Sequence, residues 1–338
     1  MQHYSHTDAN KLEKIMTTNS DIKLTIKNMD DIDDYESKSL DKSKNIMVFL
    51  ADYLNDLCDR PGDMDNSTSF YKIENNINEL KKDYTIMPRP LVILQIGTKE
   101  YTREFRDVML LGTLFFPDEF EQIKQLDDSQ YIIKKGFSGS GKGNMYLSKD
   151  RLITQLTKTK EWLDNGNYKP KESCATPFRI IQKKSTLFAN CHEIRFFVVG
   201  GVLRGLSALT QTIFGPTSYF SLHQNKLVDL NGKKLNQKIY NFVMEIANRC
   251  NRLWNDNFFY RIDIITECEA YDKLIDNLID EKWNGNIYMN EIENIGSGLK
   301  MDAVMLDDNG KEAIFATDNN TDKYNLYDYI AKEIIKVK

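Results

Sequence analysis

The sequence has few cysteines, no long apolar run and no excess of basic residues. It contains five cysteines in 338 residues, and no two form a CxxC pair. This argues against a disulfide scaffold or a structural zinc site and fits a reducing compartment. No stretch approaches the ~18 apolar residues of a membrane span, and residues 1–14 lack the apolar core of a secretion signal. We therefore expect a cytoplasmic protein that does not enter a membrane.

The charge balance disfavours nucleic acid as a partner. Lysine and arginine number 45 against 50 aspartates and glutamates, a net charge of −5, whereas polyanion-binding proteins are usually basic. Apolar residues make up 41% of the chain, enough for a sizeable core. Residues 1–45 are polar and include the charged run 30–44, so we predict a segment that is mobile or peripheral. The alternative is an acidic tail that binds a partner.

The remaining sequence alternates between strand and helix patterns, which predicts an α+β protein. Gly200-Gly201 predicts a hairpin turn, and Asp308-Asn309-Gly310 predicts another. For 46–58 the pattern leaves a strand followed by a helix, or a single helix, both open. Further segments predict strands (91–96, 130–135, 145–148, 178–184, 193–199, 202–210, 258–266 and 286–294) or helices (74–84, 101–112, 236–254 and 324–338).

A glycine-rich loop follows the strand predicted over 130–135. Its spacing Gly136-x4-Gly141-Lys142 nearly matches the P-loop motif, but Gly143 occupies the position at which a serine or threonine would bind magnesium. The following MYLS predicts a strand, whereas a P-loop opens a helix. We therefore predict a loop that joins two strands and covers phosphate groups, with a plain surface hairpin as the alternative.

Carboxylates cluster on two strands near the end of the chain. Glu291 and Glu293 are two residues apart, so they share one face of their strand, and Asp263 can lie opposite them. Three carboxylates on one inner face repel one another unless a cation lies among them, and oxygen ligands suit Mg²⁺. The alternative is a solvated sheet face. Between the loop and these strands, Glu193 and Arg195 also share a face and can contact a ribose and a phosphate, or each other.

The order of these signals resembles that of the ATP-grasp superfamily. The segment YRID…IYMNEIENIGSG resembles the closing motif of D-alanine–D-alanine ligases, and EIRFFVVGGVLRG resembles the central hairpin of RimK-type ligases and of the cell-division-cycle protein 123 family. The resemblance covers about residues 86–335. It implies two α+β lobes that clasp ATP, preceded by an N-terminal extension. The implied parts are 46–100 before the ATP-grasp region, 101–180 as the first lobe and 181–338 as the second.

The resemblance also implies roles for individual residues. Asp263 and Glu291 match magnesium ligands, and Glu293 stands where many members have asparagine and is a third candidate ligand. Arg195 matches an arginine near phosphate, and we assign it to catalysis together with Lys142 of the loop. The implied nucleotide contacts are Lys134, Ser138, Gly139, Ser140, Gly141, Gly143, Gln182, Lys183, Lys184 and Glu193, together with Arg103 or Arg106.

The activity that the resemblance implies is ATP-dependent ligation of a carboxylate to an amine, through an acyl phosphate, with release of ADP and phosphate. It would require ATP and one or two Mg²⁺ ions, with Mn²⁺ as a substitute, and would act on small molecules or peptides. Two alternatives stay open: an ATP-binding factor that assembles a protein partner, and a small-molecule kinase. The sequence does not single out the acceptor.

Overall fold

A computed structural model of the protein describes residues 46–48, 78, 81–82, 84–136, 144–167, 177–184, 193–209, 216–223, 226–228, 234–266, 277–294, 305–306, 312–313 and 326–337. These residues divide into two compact units. The four-stranded unit holds 90–184 together with 78 and 81–82, and the six-stranded unit holds 46–48, 84–89 and the residues from 193 onward. The predicted mobile segment 1–45 and most of the predicted helix 74–84 lie outside the described residues.

Both units combine helices with antiparallel sheets, which confirms the predicted α+β class. The helices are α1 (Pro90–Thr98), a 3-10 helix (Glu100–Val108), α2 (Phe120–Lys124), α3 (Lys149–Asp164), α4 (Gln237–Trp254) and α5 (Leu326–Lys336). The strands are β1 (Ile46–Val48), β2 (Thr85–Met87), β3 (Leu114–Phe116), β4 (Gln130–Lys135), β5 (Met145–Ser148), β6 (Arg179–Lys183), β7 (Ile194–Val199), β8 (Val202–Leu209), β9 (Pro216–His223), β10 (Lys226–Val228), β11 (Phe259–Thr266), β12 (Ile287–Glu293), β13 (Met305–Leu306) and β14 (Glu312–Ala313). Among the described helices, none is both long enough and apolar enough to cross a bilayer.

The four-stranded unit is built on one antiparallel sheet with the order β3-β6-β4-β5. Helices α2 and α3 cover one of its faces, since Ile181 of β6 packs with Ile123 of α2 and Leu152 of α3 in one buried cluster. Strands β4 and β5 pair directly, with Ile133 opposite Met145. This confirms that the glycine-rich segment joins two strands. Residues 137–143 themselves lie outside the described part of the chain.

The prediction of a buried strand over 91–96 is wrong, because this segment forms helix α1. Pro90 occupies the first helical position, where its missing N–H removes no hydrogen bond. Val92, Ile93 and Ile96 are buried at helical spacing. Leu91 is half exposed. A short apolar run carries too little periodicity to separate a strand from a buried helix, and here packing decides.

The six-stranded unit contains a sheet with the order β10-β9-β8-β7-β11-β12, in which every neighbouring pair is antiparallel. The predicted turn between β7 and β8 is confirmed. Gly200 and Gly201 have φ values of 63° and 74°, the left-handed conformation that a tight two-residue hairpin requires. The open choice at 46–58 is settled for three residues: 46–48 form β1, which pairs in parallel with β2. Strands β13 and β14 also pair, on either side of the predicted Asp-Asn-Gly turn.

Helices α4 and α5 both confirm sequence predictions. The side chain of Asn236 caps α4 by accepting hydrogen bonds from the backbone N–H groups of Lys238 and Ile239. The apolar side chains of α4 are buried at most positions, although Leu253 near its end is exposed. Trp254 of α4 packs against Tyr260 of β11, with ring centroids 5.7 Å apart.

Helix α5 covers part of the other face of the six-stranded sheet. Its residues Ile330 and Ile334 pack in one buried cluster with Phe197 of β7 and Phe259 of β11. Because helices lie on both sides, all eight residues of β11 are buried. Strand β11 therefore carries its polar residues, Arg261 and Asp263, into the interior of the unit.

Candidate active site

Charged side chains gather on one face of the six-stranded sheet, beyond the apolar part that α5 covers. The strand register places Asp263 of β11 between Arg195 of β7 and Glu291 of β12. The next pair on that face of β11 and β12 is Arg261 opposite Glu293. One face of the sheet therefore changes from apolar to charged along its strands. We call this group the charged cluster; its members are Glu193, Arg195, Arg261, Asp263, Glu291 and Glu293.

Three carboxylates of the charged cluster converge. Among the described residues, Glu193, Asp263 and Glu291 each offer an oxygen atom, and these atoms lie within 4.8 Å of one another. The side chains of Glu193 and Glu291 are 22% and 20% exposed, whereas that of Asp263 is fully buried. The buried carboxylate is thus flanked by two that reach solvent, which leaves a half-open site.

Two arginines hold these carboxylates in place. Arg261 donates from Nε to Asp263 Oδ1 at 2.9 Å and from Nη2 to Asp263 Oδ2 at 2.7 Å. The two buried groups thus form a bidentate ion pair. Arg195 donates from Nε to Glu193 Oε1 at 3.0 Å and lies 4.0 Å from Asp263 Oδ2. Arg261 also approaches Glu291 Oε1 at 3.9 Å. Each arginine therefore lies beside two of the converging carboxylates.

Burial and mutual repulsion make this cluster electrostatically unfavourable without a cation. Burial raises the pKa of the Asp263 carboxyl well above its usual range; Glu193 adds to the rise, while Arg261 and Arg195 oppose it. For Arg261, burial alone would lower the pKa, but the charges of Asp263, Glu293 and Glu193 and the hydrogen bond to Asp263 raise it overall. Further positive charge beside Asp263 would therefore favour its ionised form.

The residues present fit a hard divalent cation. With all its groups ionised, the charged cluster holds four carboxylates and two guanidinium groups, a formal charge of −2 that one divalent ion would neutralise. Carboxylate oxygen atoms are ligands that Mg²⁺ prefers. The three that converge here lie within 4.8 Å of one another, so one ion among them could contact all three after they move closer together.

A second polar arrangement lies in the four-stranded unit. Ile181 faces the cluster under α2 and α3, so its neighbour Gln182 points to the opposite face of the sheet. Lys134 of β4 shares that opposite face, because it pairs with Ile180, two residues before Gln182. Both side chains are almost completely buried, at 6% exposure for Lys134 and 1% for Gln182. Polar side chains at such depth are uncommon unless they bind a partner.

Hydrogen bonds fix the orientation of the Gln182 amide. Thr113 Oγ1 lies 2.6 Å from the carbonyl oxygen of Leu110, to which it donates its proton, so it accepts the hydrogen bond of 3.0 Å from Gln182 Nε2. Gln182 Oε1 is then left as a buried acceptor without a partner among the described residues. A buried acceptor that receives no hydrogen bond costs free energy, and a ligand that donates one would remove this cost.

Gly136 packs tightly against the end of helix α1. A Cβ atom at this position would lie 2.6 Å from the backbone oxygen of Thr98, closer than any side chain permits. Only glycine lets the chain leave β4 beside α1 at this point. The glycine that opens the loop therefore fixes the path of the backbone two residues after Lys134.

Solved structures share this architecture. No family model matches the sequence, and no curated protein matches it. The structure of D-cycloserine synthetase DcsG superimposes with a TM-score of 0.58 at 12% identity, over 98% of this chain and 95% of that one. The chain has the ATP-grasp fold. Other matches include D-alanine–D-alanine ligase from Bacillus anthracis complexed with ATP (TM-score 0.45, 12% identity, 98% and 92% coverage) and the ATP-grasp ligase PsnB complexed with minimal precursor (0.42, 11%, 77% and 66%).

Within this ATP-grasp fold, the strand pairing confirms that Asp263 lies opposite Glu291. The grouping nevertheless differs from the sequence prediction. Glu193, predicted to contact the nucleotide, joins Asp263 and Glu291, whereas Glu293 lies opposite Arg261. The roles of all these residues in binding stay predictions.

Other predicted nucleotide contacts have structural partners within the four-stranded unit. Arg103 pairs with Asp118 at 2.7 Å and lies over the ring of Phe178, and Arg106 pairs with Glu119. The N–H of Lys184 donates to the carbonyl oxygen of Gln130 at 2.8 Å. The side chain of Lys183 binds Asp127, and this contact is the main cause of a lowered pKa at Asp127. Gln182, Lys183 and Lys184 belong to this unit, whereas the predicted boundary at 180/181 assigned them to the second lobe.

Three residues of interest were not among the predicted site residues. Arg261 was visible in the sequence only as part of its motif, and its contact with Asp263 two residues later follows from their shared face. Thr113 carried no sequence signal, since its partner is distant along the chain. Asn290 was visible only as part of the IYMNEIEN segment, which gave no sign of its contact with Glu193. The predicted loop contacts Ser138, Gly139, Ser140, Gly141, Lys142 and Gly143 lie outside the described residues.

Proposed function

We propose that this protein is an ATP-dependent ligase that joins a carboxylate to an amine through an acyl phosphate. The charged cluster carries this proposal. It combines a buried aspartate, two flanking glutamates and two arginines on one sheet face of an ATP-grasp fold. A structural ion-pair network would not require an excess of carboxylates over cations, because buried charge without compensation is destabilising. A site for a cation that accompanies ATP accounts for the excess.

The four-stranded unit supports the same proposal with features that suit a nucleotide. The unpartnered Gln182 Oε1 is an acceptor for an amino group such as that of adenine. Lys134, on the same face, supplies positive charge for phosphate. The glycine-rich loop begins at Gly136 and offers backbone N–H groups of the kind that bind phosphate oxygens.

The proposed reaction has two steps. A carboxylate oxygen of the substrate attacks the γ-phosphorus of ATP, the bond from this phosphorus to the bridging oxygen breaks, and ADP leaves. The amine nitrogen then attacks the acyl carbon, phosphate leaves with the electron pair of the carbon–oxygen bond, and the nitrogen loses a proton to solvent. Bound Mg²⁺ would supply Lewis-acid stabilisation of phosphate charge. Asp263 and Glu291 would hold it.

Arginines have two roles in this proposal. Arg195, which is 19% exposed, would offset the negative charge that develops on the transferred phosphoryl group. Arg261 is less accessible and holds both oxygens of Asp263, so it would orient this ligand. Both roles depend on groups that are already in position before the substrate binds, so no reorganisation is needed in the transition state.

Phosphorus NMR with Mg-ATP and a pool of amino acids, short peptides and other metabolites tests the proposal. We expect ADP and free phosphate in equal amounts, formed only when the pool is present. ADP without matching free phosphate would mean that the phosphoryl group stays on an acceptor, as in a kinase. Bound but unconsumed ATP across a wide pool would contradict the ligase and favour an ATP-binding assembly factor.

The variant that tests the site is Asp263→Asn, which keeps the size of the side chain and removes its charge. We expect this variant to lose turnover. Turnover at the wild-type rate would exclude Asp263 from the site.

A further inference from the structure

Strand β12 contains an extra residue at the charged cluster. Ile262 and Ile264 of β11 are two residues apart, yet their partners on β12, Ile292 and Met289, are three residues apart. Glu291 pairs with Asp263 and Met289 pairs with Ile264, so Asn290 is the extra residue of β12. Such a bulge rotates the strand locally and re-aims one side chain. Without it, Asn290 and Glu291 would point to opposite faces of the sheet.

The bulge directs Asn290 toward the charged cluster. Asn290 Nδ2 donates to Glu193 Oε2 at 2.8 Å, a contact between residues 97 positions apart in the sequence. The other oxygen of Glu193, Oε1, accepts from Arg195 Nε at 3.0 Å. Each oxygen of Glu193 therefore receives one hydrogen bond and retains a second lone pair. Two donors from two different strands fix the plane of this carboxylate.

We propose that Glu193 is a third carboxylate ligand of the divalent cation and that Asn290 is the residue that positions it. This inference rests on the proposed function, because it assumes that a cation binds between Asp263 and Glu291. Glu193 lies just before β7, outside the residues that pair with the neighbouring strands. The hydrogen bonds from Arg195 and Asn290 therefore define the orientation of its carboxylate.

The choice of an amide at 290 is consistent with this role. An aspartate in its place would add a negative charge 2.8 Å from Glu193 Oε2 and would repel it. The asparagine amide donates a proton without adding charge, so the formal charge of the cluster stays at the value that one divalent ion balances. Partners that hydrogen-bond to a metal ligand typically contribute about 10- to 100-fold to metal affinity.

Electron paramagnetic resonance titration of the full-length protein with Mn²⁺, in the presence of a non-hydrolysable ATP analogue, tests the proposal. We expect Glu193→Gln and Asn290→Ala each to weaken Mn²⁺ binding by about 10-fold or more. Asn290→Asp is expected to weaken it at least as much as Asn290→Ala, although its side chain has the same size. Asn241→Ala is the matched control, since Asn241 is exposed on α4 and its only described hydrogen bond is to Gln237.

The outcomes separate this inference from the proposed function. If wild-type protein binds Mn²⁺ and Asp263→Asn does not, while Glu193→Gln binds like wild type, the third ligand is excluded and the ligase proposal stands. If Glu193→Gln is weakened but both Asn290 variants bind like wild type, the positioning role is excluded. If wild-type protein does not bind Mn²⁺, or Asp263→Asn binds it equally well, both the metal site of the proposed function and this inference are wrong.

Thermal unfolding without metal distinguishes a loss of metal binding from a loss of fold stability. Each variant is compared with wild type in the presence of a chelator and again with saturating Mn²⁺. A positioning role predicts that Mn²⁺ stabilises the variants less than it stabilises wild type, while their metal-free unfolding temperature stays close to that of wild type. A loss of metal-free stability that accounts for the whole change would overturn the positioning role and make Asn290 a structural residue.

Discussion

Arg261 and Asp263, two residues apart on strand β11, form a buried ion pair in which both carboxylate oxygens accept hydrogen bonds from one guanidinium group. Neighbouring strands surround this pair with further acidic groups: Glu291 and Glu293 on β12, and Glu193 before β7. The two members of the pair are therefore not equivalent. Arg261 has several acidic neighbours, whereas Asp263 has few cationic ones.

This asymmetry predicts unequal effects on stability when either partner is removed from the metal-free protein. Arg261→Met leaves the carboxylates with Arg195 as the one cation inside the charged cluster and should lower the free energy of unfolding by about 3–5 kcal/mol, as expected for a broken buried pair. Asp263→Asn should cost less, because the remaining carboxylates still compensate Arg261. Urea unfolding in the presence of a chelator measures both.

The control for this comparison is Arg252→Met. Arg252 is 66% exposed and lies 3.4 Å from Glu245, so its loss should change stability by less than about 1 kcal/mol. An equal or larger loss for Asp263→Asn than for Arg261→Met would contradict the charge distribution described above.

Removal of Arg195 should affect catalysis and metal binding in opposite directions. Arg195→Met removes a hydrogen bond to Glu193 but also takes one positive charge from the cluster. We expect the charge effect to outweigh the lost hydrogen bond, so the carboxylates should bind Mn²⁺ at least as tightly as in wild type. Turnover should fall by about 100-fold or more, because a donor to the transferred phosphoryl group is lost. Mn²⁺ titration and steady-state ATP consumption, measured on the same preparation, test both effects. Weaker Mn²⁺ binding with unchanged turnover would make Arg195 a structural residue.

Because Gln182 Oε1 is a buried acceptor without a partner among the described residues, its removal should preserve the stability of the protein but weaken nucleotide binding. Gln182→Met keeps the approximate volume of the side chain. It removes the buried Oε1, whose burial without a hydrogen bond costs about 1–3 kcal/mol. It also removes the hydrogen bond to Thr113, which contributes about 1 kcal/mol. The nucleotide-free variant should therefore be as stable as wild type or slightly more stable. Its affinity for ATP should fall by about 10-fold.

Isothermal titration with ATP and urea unfolding without nucleotide check this prediction. Inosine triphosphate, which has an oxygen in place of the adenine amino group, should bind wild-type protein more weakly than ATP does and should not distinguish wild type from the variant. A variant that loses stability and binds ATP normally would show that Gln182 serves the fold alone.

Gly136 should be required for nucleotide binding for a steric reason. In Gly136→Ala the new Cβ would meet the Thr98 backbone oxygen at 2.6 Å, so the start of the loop must move. We expect a loss of about 1–3 kcal/mol in stability and weaker ATP binding. Gly112→Ala is the control: its φ of +76° makes alanine strained, but no atom lies within 4 Å of the new Cβ. The control should lose stability and keep its ATP affinity.

Local sequence patterns determined much of this fold. Alternation and turn chemistry identified β4, β5, β7, β8, β11 and β12, and glycine at 200 and 201 predicted the turn whose positive φ values the structure contains. The period of two along a strand also put Glu291 and Glu293 on one face of their strand. These features depend on neighbours within a few residues, so they can be recognised in one sequence. The apolar run 91–96 is the exception, because its type depends on what packs around it.

Tertiary structure alone decided the composition of the site. Strand pairing brought Glu193 to the carboxylates of β11 and β12, and a single extra residue in β12 turned Asn290 toward Glu193 across 97 positions of sequence. The Thr113–Gln182 contact, between residues 69 positions apart, likewise left one buried oxygen without a partner. Register, bulges and hydrogen-bond partners depend on pairing between distant segments. The sequence therefore identified most of the charged residues, and the folded chain determined how they are grouped.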